Sequence, residues 1–466
     1  MKLYFLGIGG TAMGNLAIML QEQGHHVCGS DQKIYAPMRN LLLEHSIESF
    51  EGYSSLRLAQ LNPDLVVIGN ALSRGNEEVE WLVAEKKIPY CSFPELVRRE
   101  VIAQRDSIVV SGTHGKTTTA ALLAHLLAIN HCLPGYLIGG VPLNFPSGAN
   151  YGTPTSPFVI EGDEYDSAFF DKRSKFVHYA PKIFIINNIE LDHIDIFRDI
   201  KDIQRAFSHG IKLVPGNGCI IANGDSEVIR EILPVGWTQT IFVGKGNHND
   251  FLIKEEKLTP QGATFKLIDR IHWEQWIIKS PLFGSHNVRN AALAIVAAQY
   301  YLNGRLRINL EHFKGVKKRQ EVIYNENDLV IVEDFAHHPT AIKETILAVK
   351  QAFPDYKLIT AFEPRSNTSC SSCFQETFID AFHGSDELYI AEVFKKNSKV
   401  LDVNQLAQAI HYCAVKVIDA PTLKSFFSRK IRSEKQVFLF LSNGNFYDIA
   451  EHLKTTATLS LPSFKN

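Results

Sequence analysis

Short runs of consecutive apolar residues recur along the chain, separated by longer stretches in which apolar residues return every three or four positions. Runs of four to six are too short for core helices and read as strands covered on both faces, with helices from the intervening stretches packed against them. Residues 2–7, 26–30 and 64–69 are predicted strands, with a helix over 13–23. The series restarts at 107–110 and continues through 157–161, 182–187 and 219–223, these last three ending in polar residues. From about 242 to 279 apolar and polar residues alternate, as in Ala263-Thr-Phe-Lys-Leu-Ile268, which predicts an antiparallel insertion. An alanine-rich helix over 287–301 follows. Predicted strands at 329–334, 357–363, 387–391 and 436–442 make a third series, and the last ten or so residues read as a frayed tail.

The pattern therefore predicts an α/β protein of three domains, at 1–106, 107–314 and 315–466, and 466 residues is too long for a single core. A net charge of −2 supplies no basic field, so nucleic acid is not an expected partner and small molecules are. No apolar run approaches a membrane span, and the glycine turn at Gly7 comes too early for a signal peptide, so a cytoplasmic location is expected. Seven cysteines are scattered, and only Cys370 and Cys373 lie close together. Reduced thiols are expected there, because no further zinc ligands stand at suitable spacing.

The segment at 108–119, Ile-Val-Val-Ser-Gly-Thr-His-Gly-Lys-Thr-Thr-Thr, reads as a buried strand, a glycine loop and a helix start. Gly112, Thr113, His114 and Gly115 offer backbone N–H groups to phosphates, Lys116 adds a charge, and Thr117 and Thr118 open the helix where a Mg²⁺ hydroxyl ligand belongs. The loop is shorter than the strict eight-residue phosphate motif, because position 110 is Val. Glu161, Asp163, Glu164 and Asp166 crowd the end of a strand, an arrangement that calls for a cation. His193 follows the next strand, with Asp192 placed to orient it as a metal ligand. Asn287 and Asn290 open the long helix and can pair with a base edge. Arg319 can clamp phosphate, and Asp334 can hold a ribose hydroxyl or a cation. Gly9, Gly10, Met13 and Gly14 lie between the first strand and helix, with Asp31 ending the next strand. This near-dinucleotide fingerprint needs only a diphosphate on a helix N-terminus, which a nicotinamide cofactor or a UDP-sugar satisfies equally.

In order, Gly112-Thr-His-Gly-Lys-Thr-Thr118, Asp192-His193, His286-Asn-Val-Arg-Asn290, Arg319 and Asp334-Phe-Ala-His-His-Pro339 resemble the signature of the Mur ligase family, the ATP-dependent amide ligases of cell-wall precursor synthesis. The resemblance implies a Rossmann-like UDP-binding first domain, a P-loop ATPase centre with a mostly parallel sheet and a small antiparallel part, and a Rossmann-like C-terminal domain. It implies ATP and Mg²⁺, with Lys116 on the phosphates, Thr117, Glu161 and His193 on metal, and Asn287, Asn290, Arg319 and Asp334 around the nucleotide. Lys116, Glu161, His193 and Arg319 then carry the catalysis. The first domain is similar to that of members taking UDP-N-acetylmuramate, through Gly9, Gly10, Met13, Gly14, Asp31 and Ser73. Phe169-Phe-Asp-Lys-Arg-Ser-Lys175, Glu363-Pro-Arg-Ser-Asn-Thr368, Glu392-Val-Phe394 and Leu441-Ser-Asn-Gly-Asn-Phe446 are similar to the member adding a recycled tripeptide rather than L-alanine, with Arg365 and Ser366 as peptide-carboxylate contacts. A monomer or weak homo-oligomer is expected. Two readings from other classes stand beside this one, an NAD-dependent oxidoreductase and a nucleotide-gated sensor.

Overall fold

The computed structural model describes residues 1–460 except 195, 394–399, 420, 421, 423, 424, 426, 429–433 and 445. Phe394 and Asn445, which belong to motifs above, lie outside the described residues, as does the chain end from 461. The expected frayed tail is corrected in part: Ile449–Ser460 is a helix, and Leu453 and Ala457 on it are buried against the C-terminal sheet.

Among the described residues, three large sheets and a two-stranded ribbon, Asp166–Ala168 with Asp171–Ser174, carry the chain. The first is parallel throughout, in the order Glu48–Glu51, His26–Asp31, Lys2–Leu6, Leu65–Ile68, Tyr90–Ser92. Alternation splits each strand between two cores: Leu3 and Phe5 pack with Leu16 and Leu20, while Tyr4 and Leu6 pack with Val79 and Leu82 on the opposite face. The strand order reverses direction at Lys2–Leu6, so the glycine turn that follows it lies at the sheet's switch point, where ligands of open α/β sheets gather.

The second sheet has ten strands, and Ser107–Ser111 lies inside it between Phe158–Gly162 and Ile183–Ile186, all parallel. Register sets Glu161 opposite Val110 and Ile186 opposite Ser111, which brings the acidic strand end and the Asn187-Asn188 turn beside the glycine loop. The helices Lys116–Ile129 and Ser285–Tyr301 pack together over one face, and their many alanines permit the close approach. The antiparallel segment is not a separate insertion. Gln239–Gly244 pairs parallel with Cys219–Asn223, Phe251–Thr259 joins it parallel, and the hairpins through Gly262–Asp269 and Glu274–Ser280 extend the same sheet to its edge. Continuing the ladder satisfies backbone groups that a free-standing insertion would leave exposed.

The third sheet runs Glu321–Glu326, Leu329–Asp334, Gln436–Leu441, Lys357–Phe362, Glu387–Ala391, Ala414–Ile418, antiparallel only at its first pair. Among the described residues no helix is long and apolar enough to cross a membrane.

Candidate active site

The loop after Ser107–Ser111 owes its shape to glycine. Gly112 and Gly115 have φ of +136° and +80°, and a Cβ on Gly115 would lie 2.6 Å from Asn290 Oδ1. Asn188 fastens the loop, accepting from His114 N at 2.7 Å and donating to His114 O at 3.1 Å, while Thr113 N donates to Asn188 O. The helix beginning at Lys116 presents its free N–H groups toward a cavity of about 530 Å³ lined from all three domains.

Lys116 Nζ donates to Gly112 O at 2.7 Å and to Glu164 Oε2 at 2.9 Å. Burial works against its charge, but Glu164 and Asp163 more than offset that and hold its pKa above the ordinary lysine value. Lys175 donates to Asp163 Oδ2 at 3.0 Å and to the Tyr165 hydroxyl at 3.1 Å. Two ammonium groups therefore balance part of the acidic strand end, so the expectation that all these carboxylates await a metal ion is too simple. Glu161 stands apart from them. It accepts from Thr117 Oγ1 at 3.0 Å and from Gly139 N at 2.6 Å, and burial, then Asp163, push its carboxyl above the usual range. Asp166 pairs with Lys172 on the surface.

His193 takes φ +50° and brings Nε2 to 3.4 Å from Glu164 Oε1, a buried oxygen with no hydrogen-bond partner. Burial opposes charge on the ring, while Glu164 and Asp192 raise its pKa above that of an ordinary histidine. Thr117 Oγ1 with Glu161, and Glu164 Oε1 with His193, are thus two adjoining donor sets, rich in the hard oxygens that suit Mg²⁺.

Arg319 crosses from the C-terminal domain, and its Nη2 donates to Thr117 Oγ1 at 3.1 Å. Asp334 is buried, accepting from Gln320 N at 2.7 Å and Ala336 N at 2.6 Å, which fixes the turn that delivers Arg319. Asn287 and Asn290 line the cavity but have protein partners. Asn187 Nδ2 donates to Asn290 Oδ1 at 2.5 Å, Asn290 Nδ2 to Asn287 Oδ1 at 3.0 Å, and Asn287 Nδ2 to Gln320 Oε1 at 2.8 Å. This buried amide chain couples the turn after Ile183–Ile186 to the C-terminal domain.

The structure gathers Thr113 to Thr118, Glu161, His193, Asn287, Asn290, Arg319, Asp334 and Ser366 on one cavity. Gly9, Gly10, Met13, Gly14, Asp31, Ser73, Gly112 and Arg365 are not among its lining residues, and Thr11 and Ala12 represent the N-terminal turn instead. The reasons are local. Asp31 spends Oδ2 on Gly9 N at 2.9 Å, Met13 is buried in the core, and Gly14 packs so tightly that a Cβ would overlap Met38 Sδ. Ser73 sits on an exposed turn, and Arg365 lies beside Gly444 with its guanidinium largely in solvent. Sequence reading missed Lys175, Tyr165, Asn188, Gln320 and Thr368 in the site. Lys175 alone left a signal, since the crowd of carboxylates requires a nearby positive charge.

The chain matches three family models: that of the Mur ligase family, catalytic domain, over residues 2–104; the Mur ligase middle domain over 110–298; and the Mur ligase, glutamate ligase domain, over 318–444. It is 37% identical over 461 residues to an Escherichia coli protein named UDP-N-acetylmuramate–L-alanyl-gamma-D-glutamyl-meso-2,6-diaminoheptandioate ligase, covering 97% of each chain. A Clostridium acetobutylicum UDP-N-acetylmuramate–L-alanine ligase is 29% identical, over 97% of this chain and 96% of that one. Among solved structures, a murein peptide ligase from Psychrobacter arcticus superposes with a TM-score of 0.73 at 33% identity, covering 98% of both chains. With its matched sequence, its three sheets and its phosphate loop in agreement, the chain belongs to the Mur ligase family of ATP-dependent ligases.

Proposed function

We propose that this chain joins the tripeptide L-alanyl-γ-D-glutamyl-meso-diaminopimelate to UDP-N-acetylmuramate at the expense of ATP, the reaction for which its Escherichia coli relative is named. The observation that carries the reading is the meeting of the glycine loop, the Glu161 strand end, the Thr11 turn and the Arg319 turn on one cavity. A carboxylate resists amine attack because its charge is delocalised and oxide is a poor leaving group, and phosphorylation removes both obstacles. The γ-phosphoryl group passes in line to the lactyl carboxylate: an O–P bond forms to give the acyl phosphate, the P–O bond to the β-phosphate breaks, and ADP is the leaving group. The tripeptide's neutral amine then attacks the acyl carbon, a C–N bond forms, the C–O bond to phosphate breaks, and phosphate leaves, carrying off the proton that the amine nitrogen loses as hydrogen phosphate.

Lys116 turns from Glu164 to the β/γ-phosphates, Arg319 neutralises charge beside Thr117, and the N–H groups opening the helix hold phosphate oxygens. Mg²⁺, when bound by Thr117 and Glu161 with a second position at His193, supplies charge neutralisation on the transferred group. The C-terminal turn carrying Ser366 and Thr368 faces the same cavity and receives the peptide, while closure over the cavity keeps water from the acyl phosphate.

Phosphate release, measured with UDP-N-acetylmuramate and ATP plus either the tripeptide or L-alanine, tests the reading. Faster release with the tripeptide supports it. Release with L-alanine alone assigns the chain to the alanine-adding reaction, and release with neither overturns ligation of this sugar acid.

A further inference from the structure

Outside the donor sets at Thr117 and His193, one further cluster among the described residues has metal-binding character. His114 comes from the glycine loop, Glu190 from the turn after Ile183–Ile186, and His338 from the start of the C-terminal helix Pro339–Ala352. One ligand atom from each lies within 4.8 Å of the other two. We propose that His114, Glu190 and His338 form a binding site for a zinc-type divalent cation that ties the C-terminal domain to the phosphate loop.

Three observations carry this. His114 Nε2 is buried without a hydrogen-bond partner and lies 3.7 Å from Glu190 Oε2, too long for a hydrogen bond, so a strong ligand atom faces a carboxylate without being bonded to it. His338 Nε2 lies 3.2 Å from Leu191 O, and only a protonated ring nitrogen satisfies a carbonyl. That tautomer leaves the lone pair on Nδ1, which accepts a hydrogen bond from Thr340 N at 3.3 Å as the N-cap of Pro339–Ala352, so an ion bound at Nδ1 displaces that donor. Donation of one ring N–H to a backbone carbonyl orients metal-ligating histidines, and here the other nitrogen exchanges its cap contact for the ion. The third observation is ring placement: His338 is held between His114, at 4.8 Å between centroids, and Phe374, at 5.1 Å, so its direction is fixed by packing.

Two imidazoles and one carboxylate form the donor set of open tetrahedral zinc sites, whereas Mg²⁺ prefers oxygen throughout. Bonds of about 2.0–2.2 Å at tetrahedral angles place ligand atoms roughly 3.4 Å apart, so an arriving ion draws the three side chains together. Two of them belong to the central domain and one to the C-terminal domain, and drawing them in tightens the joint that substrate entry and product exit must open.

The test uses the full chain with Mg²⁺ in excess, titrated with Co²⁺ and followed by the visible absorption of four-coordinate cobalt, with Zn²⁺ displacing it. One ion is expected in the wild type and in Glu161→Gln, with affinity lowered roughly tenfold or more in His338→Asn. Asparagine there retains a helix cap, and Glu190→Gln serves as the second ligand variant should His338→Asn fail to fold. Absence of four-coordinate cobalt from the wild type overturns the proposal. So does binding that survives in His338→Asn and Glu190→Gln while Glu161→Gln abolishes it.

Discussion

Replacing Lys116 with alanine does two separable things, because its ammonium serves the site and also neutralises Glu164. Removing one partner of a buried pair strands the other, at a cost of about 3 kcal/mol. Losing a cationic clamp on the transferred phosphoryl slows turnover by about 10³. Lys116→Ala should therefore unfold at lower urea and release almost no phosphate. Adding Glu164→Gln should restore the urea midpoint but not the rate, and a Lys116→Ala midpoint equal to wild type contradicts the pairing. His286 gives a second expectation. Gln320 Nε2, a donor, lies 3.1 Å from its Nε2, which requires an unprotonated ring nitrogen, and burial pushes its pKa down to about 4. Between that value and the ordinary ~6.5 the unfolded chain binds more protons than the folded one, so stability present above 6.5 is lost as the pH falls toward 4. Urea midpoints at pH 7.5 and 5 should differ less in His286→Gln than in the wild type.

At the scale of elements, the strand-loop-helix unit was legible in the residues because each part is local: apolar run, glycines at positive φ, hydroxyls at the helix start. Strands such as Ala414–Ile418 and Glu321–Glu326 were not, since they lie at or next to a sheet edge and are only partly buried, without an unbroken apolar run. The roles of Lys175 and Gln320 were hidden for another reason. Each is made by a partner distant in sequence or on a different domain, and no periodicity records such a meeting. The hairpin Asp166–Ser174 shows what such a meeting does: Phe169 packs with the outer core of the N-terminal domain, and Phe170 meets Tyr90 edge-on at 5.2 Å. Phe169→Ala should weaken that docking by about 1–2 kcal/mol. Its expected signature is a raised KM for the UDP-sugar with the KM for ATP unchanged, and equal changes in both would refute a docking role. Gly115→Ala acts in the opposite sense, striking ATP binding first, because its Cβ meets Asn290 and its φ of +80° is strained for alanine.

For the whole molecule, the central and C-terminal domains are joined through polar contacts: Arg319 to Thr117, Gln320 to Asn287, His338 to Leu191, and Thr368 Oγ1 to Asp192 Oδ1 at 2.6 Å. Against burial, His193 and Thr368 hold Asp192 below the carboxylate range, so its charge persists in the joint. Thr368→Val leaves that charge without its hydroxyl donor, and small-angle scattering of the free protein should show a larger radius of gyration than wild type. An unchanged radius shows that the joint does not depend on this bond. The pairing of Lys116 with Glu164 reaches furthest. A protein that carries its own stand-in for phosphate takes up nucleotide by ion exchange, one anion evicting another from the same ammonium. At that lysine the count of ion pairs stays constant through the cycle, so its share of ATP affinity should respond weakly to added salt, and the departing diphosphate nucleotide leaves no bare charge behind to slow its own release.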